Sequence, residues 1–154
     1  MLENCESASE RWGGVSQLID RWLKERKDLL VLFCSLSNKD SGDTAEEREV
    51  NLRRFCQIVV DYVSAGHFEV YEQLVKEGKE FGDTEGLEKA KEHYKTIDGT
   101  TEEILDFNDK YQETDDLESL VPDLSSLGEA LATRFEAEDN MIEILHMAHK
   151  DTVA

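Results

Sequence analysis

Apolar residues recur along this chain with the period of a helix and not with the alternation of a strand. From Val15 they fall at Leu18, Ile19, Trp22, Leu23, Leu29, Leu30, Phe33 and Leu36, the i, i+3, i+4, i+7 stripe of a core-facing helix. Gly13-Gly14 weakens the first turns, so the segment before Val15 is expected to be a bend or a short separate helix. "SNKDSGDTAEE", residues 37–47, is polar and predicts a loop, near whose end Thr44 and Glu47 have capping-box spacing. The helix they start carries Leu52, Phe55, Cys56, Val59, Tyr62 and Val63 on one face and Arg54, Gln57 and Asp61 on another. Its valines favour strands, but a sustained period outranks propensity over a window this long. Gly66 is expected to end it as a left-handed cap, and His67 to open a third helix running to about Lys79 with Phe68, Tyr71, Leu74 and Val75 inward.

Beyond Lys79 the pattern is looser. "GKEFGDTEG" (78–86) is turn-rich, a weaker helix is predicted over 84–95, and "IDGT" is expected to break it before Thr100, which pairs with Glu103 as a second capping box. Ile104, Leu105, Phe107 and Tyr111 form the next apolar face. "ETDDLESLVPD" is a connector in which Pro122 stops any helix. The last helix, 123 to about 149, has the cleanest seam, Leu124, Leu127, Leu131, Phe135, Ile142 and Leu145, with Glu138 set into it. The expectation is an all-α fold, a single domain over 1–154 built as an antiparallel bundle: a central four-helix bundle with additional short helices and extended connectors.

Charge narrows the function classes. Seventeen basic against 36 acidic residues leave a net charge of −19. Such a surface repels nucleic-acid phosphates and anionic membranes and attracts basic partners, so no direct nucleic-acid or membrane role is expected. No apolar run approaches the roughly 20 residues of a membrane span, and the polar, acidic start is no secretory signal, so a soluble cytoplasmic protein is expected. Cys5, Cys34 and Cys56 are odd in number and lack CxxC spacing; reduced thiols fit, with Cys34 and Cys56 on apolar helix faces.

Candidate chemistry is sparse. Glu138 needs a buried partner, which Arg134 one turn earlier or an arginine of the first helix could supply. Glu143 and His146 have the Glu-x-x-His spacing of di-iron bundles, but no other histidine has an acid three residues before it. His146 with Lys150 faintly suggests a phosphotransfer module. A metal-binding bundle and a phosphotransfer module are therefore the alternative readings. No nucleophile or phosphate-loop motif occurs; no enzyme, metal site or cofactor is expected, and no small-molecule ligand. What remains is a surface: Trp12 and Trp22 among Asp20, Glu25 and Asp28, then Asp61, then Glu69 and Glu72. Aromatic anchors ringed by acids can grip a basic helical partner, although Trp22 fits the core equally well.

"RWGGVSQLIDRWLKERKDLL", "FCQIVVDYVSAGHFEVYE" and "LGEALATRFEAEDN" together resemble the Rsd/AlgQ family of bacterial anti-sigma factors, and the opening "MLENCESASERWGG" is similar to its AlgQ branch. The likeness runs from Met1 to about His149. It implies an all-α regulator of transcription that binds region 4, the C-terminal helix-turn-helix of the primary sigma-70-type sigma factor. Holding that region would block its contacts with the −35 promoter element and with core RNA polymerase. By position, the resemblance places the partner surface on the first three helices, with Asp61 as chief acidic contact and Leu18, Trp22 and Phe68 as apolar contributors. Asp20, Glu25 and Glu72 complete the expected set.

Overall fold

The computed structural model describes residues 8–38, 42, 44–112 and 116–152. They form α1 (Ala8–Ser37), α2 (Ala45–Ala65), a π-turn (Gly66–Val70), α3 (Tyr71–Glu80), α4 (Thr84–Tyr111), α5 (Leu120–Leu145) and a final 3-10 turn (Met147–Thr152), with no strand among the described residues. The four long helices, α1, α2, α4 and α5, close a ring in which each neighbouring pair is antiparallel. Arg48 at the start of α2 donates to the Leu36 carbonyl at the end of α1 (2.6 Å), and the Trp22 indole donates to the Tyr62 carbonyl further along (2.9 Å). Arg53 of α2 donates to the Tyr111 carbonyl at the end of α4. Lys110 pairs with Asp123 where α4 turns to α5 (2.7 Å), and Arg134 reaches back to the Ile97 carbonyl (3.3 Å). Trp12 and His146 join the start of α1 to the end of α5.

Most of the predicted apolar stripes fill the centre, although Leu30 and Phe68, expected inward, are exposed. Leu29, Leu52, Phe55, Ile104, Leu124 and Leu145 are all buried, and a buried side chain of this size stabilises the fold by about 2 kcal/mol. Thr44 caps α2 as predicted: its hydroxyl accepts from the Glu47 amide (3.1 Å) while the Glu47 carboxylate accepts from the Thr44 amide (3.4 Å).

Several expected boundaries give way to tertiary contact. α1 runs unbroken through Gly13-Gly14. Trp12 stacks on His146 at 4.2 Å and donates to its carbonyl at 3.0 Å, which offsets a glycine cost of about 1 kcal/mol per residue. α4 likewise passes straight through "IDGT". Thr100 forms no capping box; its hydroxyl donates to the Ile97 carbonyl (2.7 Å) and accepts from Arg134 (3.2 Å), locking the turn that was expected to break. Pro122 does not stop α5 but lies in its first turn, where an amide N–H has no intrahelical acceptor to lose. α5 itself spans 120–145, not 123–149, and the 3-10 turn follows. Leu105 and Cys34, both assigned to apolar faces, are exposed; Cys56 is buried, and burial pushes its thiol up to about 11. Cys5 lies outside the described residues.

Candidate functional site

Glu138 is the polar centre of the bundle. It is 1% exposed, and its burial raises its pKa against the opposing pull of Arg134, Tyr62, Tyr71 and Arg26. The Tyr62 hydroxyl donates to one carboxylate oxygen (2.6 Å) and the Tyr71 hydroxyl to the other. Arg134 and Arg26 each approach to 3.4 Å, so both expected arginines, the one on its own helix and the one from α1, converge on it. Arg134 is spread further, donating to the hydroxyls of Thr100 and Thr101 (3.2 and 3.0 Å) and of Tyr71 (3.3 Å). Arg26 closes the network on the outer side, with Nε on the Tyr62 hydroxyl (2.9 Å), Nη1 on Asp139 (2.7 Å) and its guanidinium 4.6 Å from the Phe135 ring.

This network fixes the neighbouring surface, because Tyr62 and Tyr71 flank the π-turn. Gly66 does not take the left-handed cap conformation expected of it: φ is −58°, and the chain turns without interruption from α2 into α3. Its missing side chain serves close packing instead. A Cβ there would lie 2.8 Å from the Trp22 ring and 3.1 Å from the Tyr71 hydroxyl. Phe68, expected to face inward, lies within the π-turn and is 72% exposed, while Val70 and Tyr71 after it are buried.

Between α1 and this turn lies a shallow groove of about 290 Å³, lined by Leu18, Arg21, Trp22, Glu25, Ala65, Glu69 and Val70. Leu18, Trp22 and Glu25 follow i, i+4, i+7, so one face of α1 supplies them. The Glu25 carboxyl is raised, first by partial burial and then by the negative charges of Asp61, Asp28 and Glu69. Four acids from three segments therefore share one field. Asp61 is exposed on the outer face of α2, where Gln57 one turn earlier donates to it (3.0 Å).

Of the expected contact residues, the structure thus brings together Leu18, Trp22 and Glu25, with Asp61 coupled through charge and Phe68 on the adjoining turn. Trp22 is no protruding anchor. It is 3% exposed, stacks on Tyr62 at 4.6 Å and forms part of the groove floor. Asp20, two residues beyond Leu18, points about 200° away around α1 and does not line the groove. Glu72 lines a different hollow, between α3 and α4. Glu143 and His146 share no site: Glu143 is exposed, while His146 is buried with Nδ1 on the Glu77 carboxylate (2.8 Å). Among the described residues no three His, Cys, Asp or Glu side chains converge as metal ligands.

The profile of the family described as "Regulator of RNA polymerase sigma(70) subunit, Rsd/AlgQ" matches residues 1–146. The chain belongs to the Rsd/AlgQ family. Relatives named regulator of sigma D occur in Enterobacter sp. (strain 638), 37% identical over all of this chain and 98% of the relative, and in Salmonella paratyphi B, 38% identical over 98% and 95%. One from Yersinia enterocolitica is 34% identical over 93% of the chain and 89% of its own length. The Rsd/AlgQ role is regulatory, directed at transcription, and no described helix is long and apolar enough to cross a membrane.

Within this Rsd/AlgQ member, three site features escaped the reading of the sequence. Arg21 lies at i−4 to Glu25 and i+3 to Leu18, a spacing that could have marked it as a groove residue. Arg26 was anticipated only as an unspecified arginine of the first helix. The π-turn had no local signal, since glycine followed by histidine reads equally well as a helix break.

Proposed function

We propose that this chain binds region 4 of the primary sigma-70-type sigma factor on the face formed by α1, α2 and the π-turn. Holding that basic helix-turn-helix would deny it the −35 promoter element and core RNA polymerase, and the protein would act in the cytoplasm where these meet. The observation that carries this reading is the shared field of the acids Glu25, Asp28, Asp61 and Glu69 at the groove, with exposed Phe68 on the adjoining turn, on a scaffold locked from beneath. A ring enters an apolar pocket of the partner while carboxylates meet the arginines that would otherwise face DNA phosphates. Because the tyrosines and Arg26 fix the turn from inside the bundle, little ordering entropy is lost on binding.

Asp61→Ala tests the assignment. Its side chain is exposed and, among the described residues, hydrogen-bonded to Gln57 alone, so helicity and melting should be unchanged while binding to purified region 4 weakens about tenfold. Titration calorimetry showing wild-type affinity in this variant would remove Asp61 from the interface.

A further inference from the structure

The chain has 36 acids, yet one hollow on it is predominantly basic. It lies between α3 and α4, away from the acidic groove; Lys79, Lys91 and Lys95 line it against Glu88, and Lys76 and Glu72 line the hollow that adjoins it at Val75, Lys79 and Tyr94. Its floor is apolar: Val75, Leu87, Ala90 and Met141, with the Tyr94 ring at one side. Lys76 and Lys79 have no ion-pair partner among the described residues. Among the described residues Lys91 and Lys95 make only exposed i, i+3 pairs, with Glu88 (3.2 Å) and Glu92 (3.3 Å), of a kind worth little in water and readily exchanged.

We infer that this hollow is a binding site for a small amphipathic carboxylate, with an apolar body on the Val75–Leu87–Met141 floor and its anionic head among the lysines. The cavity holds about 620 Å³, within the roughly 300–1,000 Å³ of small-molecule sites. A simple inorganic anion would leave that floor wetted, and a neutral apolar ligand would make no use of the lysines. No ligand of this kind was expected from sequence, where these lysines belong to two separate i, i+3/i+4 pairs. Only the packing of α3 on α4 unites them.

Decanoate is the probe, with decyltrimethylammonium and decanol as the matched cation and neutral chain, all titrated below micelle formation and followed by amide NMR. The expected result is saturable one-to-one decanoate binding, with shifts centred on residues 75–95 and Met141. Lys79→Glu/Lys95→Glu, a change at two exposed positions, should weaken it about tenfold, the loss expected when charge-assisted contacts are reversed. The site is overturned if decanoate does not saturate, if shifts centre elsewhere, if either control binds as tightly, or if the charge reversal leaves affinity unchanged.

Discussion

Glu138 shows what one residue does for this site. A carboxylate buried in the bundle is tolerated because two tyrosine hydroxyls and two guanidinium groups surround it. Removing it strands Arg134, itself 1% exposed, without its counter-charge. Glu138→Ala should therefore cost about 3–5 kcal/mol in chemical denaturation, well beyond the loss of a surface pair. Glu25 offers a second test at the same scale. Its pKa is raised above 4.5 by burial and then by Asp61, Asp28 and Glu69. The folded chain thus keeps this proton to higher pH than the unfolded chain does. That contribution to stability is complete below about pH 4.5 and is lost as pH rises through the folded value. Carboxyl NMR titration should show Glu25 with a midpoint above 4.5, and Asp61→Asn should lower it part of the way back, since burial remains. An unmoved midpoint would mean that α1 and α2 do not share a field.

At the scale of elements, two glycines inside the helical run separate local propensity from packing. Gly99 lies exposed in α4 with nothing near its missing Cβ, so Gly99→Ala should stabilise by about 0.5–1 kcal/mol. Gly66→Ala should destabilise by about 1–3 kcal/mol, because its methyl meets Trp22 and the Tyr71 hydroxyl at distances that force both to shift. Thermal melts of the two variants should move in opposite directions. The same pair marks what the sequence could convey. Periodicity located α1, α2 and α5 and both halves of α4, because a helix must turn one stripe inward whatever its partners. The spacing of Thr44 and Glu47 located a cap, because that interaction is local. Gly13-Gly14, "IDGT" and Gly66 were read as breaks, because each depends on distant residues: His146 holds the first, Arg134 the second, Trp22 the third. Asp61 was legible as an outward acid by period alone. The inward commitment of Trp22 was not, since a tryptophan beside acids looks the same from sequence whether it fills a core or a partner's pocket.

At the scale of the whole molecule, the net charge of −19 acts twice and with opposite signs. Within the chain it is self-repulsion, which opposes compactness and is relieved by salt. Toward a basic partner it is attraction, which salt removes once charges are more than about 8–10 Å apart at 0.10–0.15 M. Raising salt from about 0.05 to 0.5 M should therefore raise the melting temperature of the free protein while weakening the proposed binding to region 4. The loss should fall mainly on the association rate, by about tenfold or more, because long-range attraction steers the encounter. On the proposed interface, dissociation should change less, since the close contacts of Phe68 and of acids screened by the partner would govern it. Stopped-flow association and thermal melting over one salt series measure both effects. Affinity that falls together with melting temperature would trace the loss to unfolding, and an association rate indifferent to salt would leave the acids of α1 and α2 no steering role. A rising melting temperature with a falling association rate is the signature required of a surface whose charge is kept, at some cost to stability, for a basic partner.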